Sequence, residues 1–341
     1  MRIFLTHVPD MLENYYGPRA LAEMRKLGDV RLNEAGGVLD AKGLAEAARG
    51  CEIIVSDRQT PGPAEFFPLA PDCCAFLRVA VDIRNIDVEA ASRAGVLVTH
   101  ATPGFIPSVS EMAIGMMIDL ARGITDATIT YRKGEEAEPR MGRQLKGATL
   151  GIMGYGAIGR YLAPLGVALG MKVLVADPFA KVEDRSLHQV PLETLLAESD
   201  FVVCLVVANA QTENLMGAAN FARMKKSAYF LNLSRGNLVD ETALMQALES
   251  KQVAGAAMDV GRAFDQKPSL ELARRADVIA TPHTAGLTPD AIEHQAFDTV
   301  KQVAELVAGQ VPPGAVNVDK ATRLSRIGVK APALDFSSAR L

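Results

Sequence analysis

Short apolar runs separated by helix-length amphipathic stretches repeat from one end of the chain to the other. In the first hundred residues the runs at Arg2–Thr6, Glu52–Ser56, Phe76–Ala80 and Val96–Thr99 predict strands, with helical stretches such as Asp87–Ala94 between them. Strands that alternate with helices in this way predict parallel α/β architecture. A breaker-rich joint, Ala101-Thr-Pro-Gly-Phe-Ile-Pro107, follows and reads as a crossing between domains. The stretch Ser108–Ile124 predicts a helix, but its apolar residues (Val109, Met112, Ile114, Met116, Met117, Ile118, Leu120, Ile124) run most of the way round. A surface helix needs only an apolar stripe, so this one is either buried within the chain or shared with a second subunit.

A second alternating series runs from Lys146 to Thr288, with strands predicted at Thr149–Met153, Lys172–Ala176, Phe201–Val207, Ala228–Leu233, Val253–Met258 and Val278–Ala280. After Pro289 a long helix reaches about Val307, and the last twenty residues, mixed in Ser, Lys, Arg and Pro, read as a tail. At 341 residues the chain exceeds what one hydrophobic core usually organises, so two domains are expected. A net charge of -4 with both signs scattered speaks against a nucleic-acid footprint. The four cysteines show no zinc-like spacing and are too few for a disulfide scaffold, so no metal is expected. The apolar start of the chain is interrupted at Asp10 and Glu13, too soon for a signal peptide, and no run of about 18 apolar residues occurs. The expected compartment is the cytoplasm.

Candidate chemistry begins with Gly154-Tyr155-Gly156-Ala157-Ile158-Gly159, directly after a predicted strand and opening a helix. The spacing fits G-x-G-x-x-G, in which the glycines allow a tight turn, backbone approach to a pyrophosphate and close helix–strand packing. Free N–H groups at the helix start suit phosphates. Asp177 ends the next predicted strand, near the expected distance for a carboxylate that binds the adenosine ribose and repels a 2′-phosphate. That combination predicts NAD over NADP; the alternative is that Asp177, before Pro178, merely opens a turn.

Three further strand ends carry reactive side chains. Arg235, after Tyr229-Phe-Leu-Asn-Leu-Ser234, offers a planar fork suited to a carboxylate, or an ion pair with Asp240, although Asp240 also suits a helix N-cap. His283, after Thr281-Pro282, can give and take a proton near neutral pH, although a lone histidine is more often structural. Asp259 ends a third strand, and Asp265 lies in the loop Gly261-Arg-Ala-Phe-Asp265-Gln-Lys-Pro268. A carboxylate there would orient the His283 ring and favour its charged form; a solvated loop is the plainer reading.

Taken in order, these segments resemble the D-isomer-specific 2-hydroxyacid dehydrogenase family. The pieces are Asn85-Ile-Asp87-Val-Glu-Ala-Ala, Gly95-Val-Leu-Val-Thr, Ser108-Val-Ser-Glu111, the 154–159 glycine run, Leu231-Asn-Leu-Ser-Arg235-Gly-Asn-Leu-Val-Asp240-Glu, Ala257-Met-Asp259-Val and Thr281-Pro-His283. The resemblance implies two Rossmann-like, doubly wound parallel-sheet α/β domains. A catalytic domain of residues 1–102 and 289–320 would be split by an NAD domain of 103–288, with 321–341 as a tail. It implies a homodimer through the apolar helix and an enzyme acting on a small 2-hydroxy or 2-keto acid. Arg235 takes the substrate-binding role, His283 the acid/base role and Asp259 the nicotinamide-side contact. Ser234 and Gly286 join the cofactor contacts, and Ala80, Val81, Asp82 and Arg84 form the substrate loop. Three departures stand out. The family's acidic Glu-Pro pair is absent, leaving Asp265 as the nearby carboxylate. The usually glycine-rich substrate loop here reads Arg78-Val-Ala80-Val-Asp82-Ile-Arg84-Asn, and Leu205-Val-Val207 replaces the usual His-x-Pro.

Three functions remain open at this level. The first is an NADH-dependent 2-keto acid reductase. The second is a dehydrogenase of a phosphorylated or dicarboxylic hydroxy acid that uses Arg84 for the extra anion. The third, from another class, is an NADH-sensing, corepressor-like interaction protein.

Overall fold

A computed structural model describes residues 1–329. It divides into two compact units, residues 1–104 with 289–329, and residues 105–288. Each is built on one parallel sheet.

The first unit holds β1 (Arg2–Leu5), β2 (Asp29–Leu32), β3 (Ile53–Ser56), β4 (Ala75–Arg78) and β5 (Leu97–His100), in the order β2-β1-β3-β4-β5. β3, β4 and most of β1 and β5 are buried, as expected of strands covered on both faces. The edge strand β2 escapes the sequence pattern because its apolar residues alternate with Asp29 and Arg31, a charged edge that discourages further pairing. The helix Pro289–Val307 returns to this unit and buries Ala296, Val300, Val303 and Leu306 with β1, β3 and β4 residues.

The tail expected from residue 321 is corrected over its described part. Residues 322–327 form a 3-10 helix that buries Leu324, and Arg323 donates to the carbonyls of Ala70 (2.8 Å) and Cys73 (2.9 Å). Arg323 and Arg326, on either side of Leu324, hide the inward face in a linear reading. Residues 330–341 lie outside the described part.

His7, just past β1, is buried against the Tyr16 ring, with no partner for Nδ1. Burial pushes its pKa down to about 4, against the opposite pull of Asp57. An unfolded chain takes up this proton near 6.5, so between about pH 6.5 and about pH 4 the unfolded state holds more protons. Stability is therefore expected to fall as the pH drops through that window, by roughly 3 kcal/mol from this residue. Thermal melts across the window test this. The wild-type Tm should fall more steeply than that of His7→Gln, and parallel slopes would clear His7.

The second unit holds β6 (Thr149–Met153), β7 (Lys172–Ala176), β8 (His188–Gln189), β9 (Phe201–Cys204), β10 (Tyr229–Asn232), β11 (Gly255–Met258) and β12 (Val278–Ala280). Their order is β12-β11-β10-β9-β6-β7-β8, all parallel. The order reverses direction between β6 and β9, and in open parallel sheets ligands bind at such a switch, outside the strand C-termini. The apolar helix spans Ile106–Arg122 and ends at Gly123, whose left-handed φ of 66° starts a second helix, Ile124–Arg132. One face of the first helix (Val109, Ala113, Met116, Met117, Leu120) is buried in this unit's core; Ile118, Ile124, Ile129 and Tyr131 stay exposed. The four cysteines are all free and buried.

Candidate active site

The glycine run forms the turn from β6 into the helix Ala157–Ala168. Gly154 has φ +94°, and a Cβ there would lie 2.8 Å from the Leu205 carbonyl oxygen, so only glycine fits. A Cβ at Gly159 would collide with the Gly154 carbonyl oxygen, which brings the helix tight against the strand turn. Gly156 differs, because a Cβ there would meet nothing within 4 Å. It is the N-cap residue, no side chain caps the helix, and Ala157 beside it is exposed. Open space at an uncapped helix N-terminus fits the pyrophosphate of a dinucleotide. Tyr155 is buried with its ring under the Arg160 guanidinium at 4.5 Å, and Ile158 packs against the core.

Asp177 ends β7 and faces the same turn. One carboxylate oxygen accepts the Tyr155 N–H (2.7 Å), and the other accepts those of Phe179 (2.8 Å) and Ala180 (2.9 Å). It therefore opens the turn and ties it to the glycine loop, a structural role the sequence reading held as the alternative. Burial alone would raise its pKa, but these hydrogen bonds and the Arg160 charge outweigh it and hold the carboxyl below its usual range.

At the end of β10, Asn232 is fully buried and closes the turn that carries Arg235. Its Oδ1 accepts the Ser234 N–H (3.1 Å), and its Nδ2 donates to the Arg235 carbonyl (2.9 Å). Ser234 Oγ donates to the Val206 carbonyl (2.6 Å), and Arg235 Nη1 to the Ser234 carbonyl (2.8 Å). Asp240 caps the helix Glu241–Glu249 through the Ala243 N–H (3.1 Å). Sequence reasoning missed Asn232; its signal was a polar residue inside an apolar strand, where a buried amide needs partners.

The His283 turn is the most tightly specified part of the unit. Its φ of +60° lies in the left-handed region, uncommon for a non-glycine residue. The His283 N–H donates to the carbonyls of Asp259 and Thr281, both at 2.9 Å. The Asp259 carboxylate, buried at the end of β11, accepts Thr281 Oγ1 (2.7 Å) and the N–H groups of Thr284 (2.8 Å) and Ala285 (3.0 Å). Asp259 thus grips the turn on both sides of His283. Gly286 follows, packed toward Phe105 and Val109.

His283 Nδ1 lies 3.1 Å from the backbone carbonyl of Asp265. A carbonyl oxygen only accepts, so Nδ1 must carry the hydrogen and Nε2 is left for chemistry. The expectation concerned the Asp265 carboxylate; this contact is made by its backbone. The reason lies in the loop, where Asp265 and Gln266 both adopt φ +56°. The consecutive left-handed residues turn this loop back, and the Gly261 N–H meets the Gln266 carbonyl at 2.8 Å.

In the first unit, Ala80 is buried and Val81, Asp82 and Arg84 follow on the loop after β4. Arg84 Nε lies 3.0 Å from each Asp82 carboxylate oxygen, and the Arg84 N–H donates to Oδ1 at 3.0 Å. Arg84 is thus paired with Asp82 within its own turn. No group of residues suited to a metal ion occurs among the described residues.

Residues 114–285 match the NAD binding domain of the D-isomer specific 2-hydroxyacid dehydrogenases. A glyoxylate reductase of Korarchaeum cryptofilum is 32% identical over 285 residues, covering 81% of this chain and 86% of that one. The chain belongs to this family. A D-3-phosphoglycerate dehydrogenase of Synechocystis is 36% identical over 247 residues, which is 71% of this chain and 44% of that protein. The chain spans about half the length of the phosphoglycerate dehydrogenases it matches. The solved structure of D-2-hydroxyisocaproate dehydrogenase, 23% identical, aligns over 93% of this chain and all of its own with a TM-score of 0.84, and shares the two-domain fold. The glycine turn, its open helix N-terminus and Asp177 lie within the matched NAD binding domain. Among the described residues no helix is long and apolar enough to cross a membrane.

Proposed function

We propose that this family member is an oxidoreductase that moves a hydride between NAD(H) and C2 of a small D-2-hydroxy acid or 2-keto acid. The observation that carries the reading is His283, fixed on a left-handed turn with Nδ1–H on a carbonyl and Nε2 left for proton transfer. When bound, the nicotinamide supplies or takes up the hydride. His283 then passes a proton from Nε2 to the C2 oxygen on reduction, and takes it from the hydroxyl on oxidation. Arg235 holds the substrate carboxylate with its planar fork, so C2 and its oxygen face the imidazole. Gly154 to Gly159 and Asp177 hold the dinucleotide, with Ser234 and Gly286 on the nicotinamide side, while Asp259 holds the His283 turn beside them. Ala80, Val81 and Asp82 belong to the loop that meets the substrate. The reading extends to a cytoplasmic homodimer. The exposed Ile118, Ile124, Ile129 and Tyr131 support the dimer.

The chain should oxidise NADH in the presence of glyoxylate or hydroxypyruvate, which separates an enzyme from an NADH-sensing interaction protein. It should prefer NADH to NADPH, because an ionised Asp177 repels a 2′-phosphate. Asp177→Ala should narrow that preference by on the order of tenfold. Steady-state rates with both cofactors test this, and equal use of the two by the wild type would remove the assignment. The relatives named phosphoglycerate dehydrogenase favour a second reading, a phosphorylated substrate with Arg84 on the extra anion. The Arg84–Asp82 pair stands against it.

A further inference from the structure

The loop after β4 is anchored at both ends by one buried cation. Arg78, fully buried at the last position of β4, donates to the carbonyls of Asp57 and Thr60 (3.0 Å) and to Asn85 Oδ1 (2.7 Å). Asp57 and, to a smaller degree, Asp82 favour that charge; the Asp57 carboxylate accepts Thr6 Oγ1 (2.6 Å), Thr60 Oγ1 (2.7 Å) and the Gln59 N–H (2.6 Å). Between the two anchored ends, Asp82 and Arg84 sit two residues apart and engage through the backbone N–H and two side-chain nitrogens. Toward Arg84 the Asp82 carboxylate has two roles. Its oxygen closes the turn by accepting the Arg84 N–H, and its charge offsets the Arg84 guanidinium.

We propose that Asp82 is a specificity residue, which by neutralising Arg84 restricts the substrate to 2-keto acids whose single charge is the C1 carboxylate. The inference rests on the reading above that this loop meets the substrate. A second anionic group, phosphate or carboxylate, must either compete with Asp82 for the Arg84 fork or lie beside an ionised carboxylate. Both penalise it relative to a substrate with an uncharged tail. The competing carboxylate is covalently held two residues from its partner, so its effective concentration exceeds that of any free substrate.

Asp82→Asn separates the two roles. The amide oxygen still accepts the Arg84 N–H, while the charge is gone and Arg84 becomes available. The test compares kcat/KM with NADH for glyoxylate, oxaloacetate and phosphohydroxypyruvate in wild type, Asp82→Asn and Asp82→Asn/Arg84→Gln. The wild type should favour glyoxylate. Asp82→Asn should raise the doubly charged to singly charged ratio by on the order of tenfold or more, and the double variant should lose that gain. Asp82→Ser, which also keeps an acceptor for the turn, should shift the ratio the same way and serves if the Asn protein does not fold. An unchanged ratio, a gain that survives removal of Arg84, or a wild type that already prefers the doubly charged substrates overturns the inference while leaving the dehydrogenase reading intact. A wild type that reduces none of the three overturns both.

Discussion

His283→Asn should lower kcat by a factor of about 10² to 10⁴ and leave NADH binding nearly unchanged, as the loss of a general acid/base does. Asparagine is the informative replacement here for a conformational reason. The native residue has φ +60°, a region that asparagine visits more readily than most residues, so the turn can survive the change. The Asn side-chain amide can also donate toward the Asp265 carbonyl, but it cannot deliver a proton as Nε2 can. A fall in kcat with an unchanged dissociation constant for NADH and an unchanged Tm therefore reports proton transfer. Near-normal turnover would mean that the proton comes from another group.

The same geometry separates backbone from side chain at Asp265. Asp265→Asn keeps a residue that tolerates φ +56° and so keeps the carbonyl where His283 Nδ1 finds it. Asp265→Val places a β-branched side chain in a region it strongly avoids, and the loop must move. The valine variant should lose about tenfold more kcat than the asparagine variant, since a shift of about 1 Å in a catalytic group costs up to about 10². Equal losses would return the role to the carboxylate.

These contrasts also mark what a linear reading could and could not see. The glycine run was legible because each position answers a steric demand: a left-handed turn at Gly154, open space at Gly156, backbone contact at Gly159. The buried parallel strands were legible as apolar runs, whereas β2, with Asp29 and Arg31, and the 3-10 helix carrying Leu324 were not, because their outward positions dominate the pattern. Arg84 and Asp82 are two residues apart, so their pairing is a local one. The grip of Asp259 on the His283 turn spans 22 to 26 residues and joins two strand ends, so no local pattern encodes it. The left-handed backbone at Asp265, Gln266 and His283 is equally silent, since none of these residues is glycine. Tertiary hydrogen bonds hold a conformation there that local preference opposes.

Asp259→Asn should damage both the fold of the turn and the rate. A carboxylate presents two accepting oxygens, and in Asp259 both are used: Oδ1 by Thr281 Oγ1 and the Thr284 N–H, Oδ2 by the Ala285 N–H. An asparagine keeps one oxygen and replaces the other with an NH2 group, so an N–H must face an N–H in a buried position. Losing a hydrogen bond to a charged group and leaving a buried donor unpaired costs about 2–5 kcal/mol in all. For a domain of this size each kcal/mol lowers Tm by about 2–4 °C, so a fall of roughly 5–15 °C is expected. With the grip loosened, the left-handed His283 turn relaxes and Nε2 shifts, and kcat should fall by on the order of 10². The family resemblance assigns Asp259 to the nicotinamide, and that role makes a different prediction. A residue that chiefly contacts cofactor would weaken NADH binding while leaving Tm and kcat at saturating NADH close to wild type. If Asp259 acts by positioning His283, NADH affinity changes by less than about threefold while Tm and kcat fall together. Calorimetric titration of NADH, a thermal melt and saturating kinetics on the one variant decide between the two, and a weakened NADH affinity with an undisturbed Tm would overturn the positioning role.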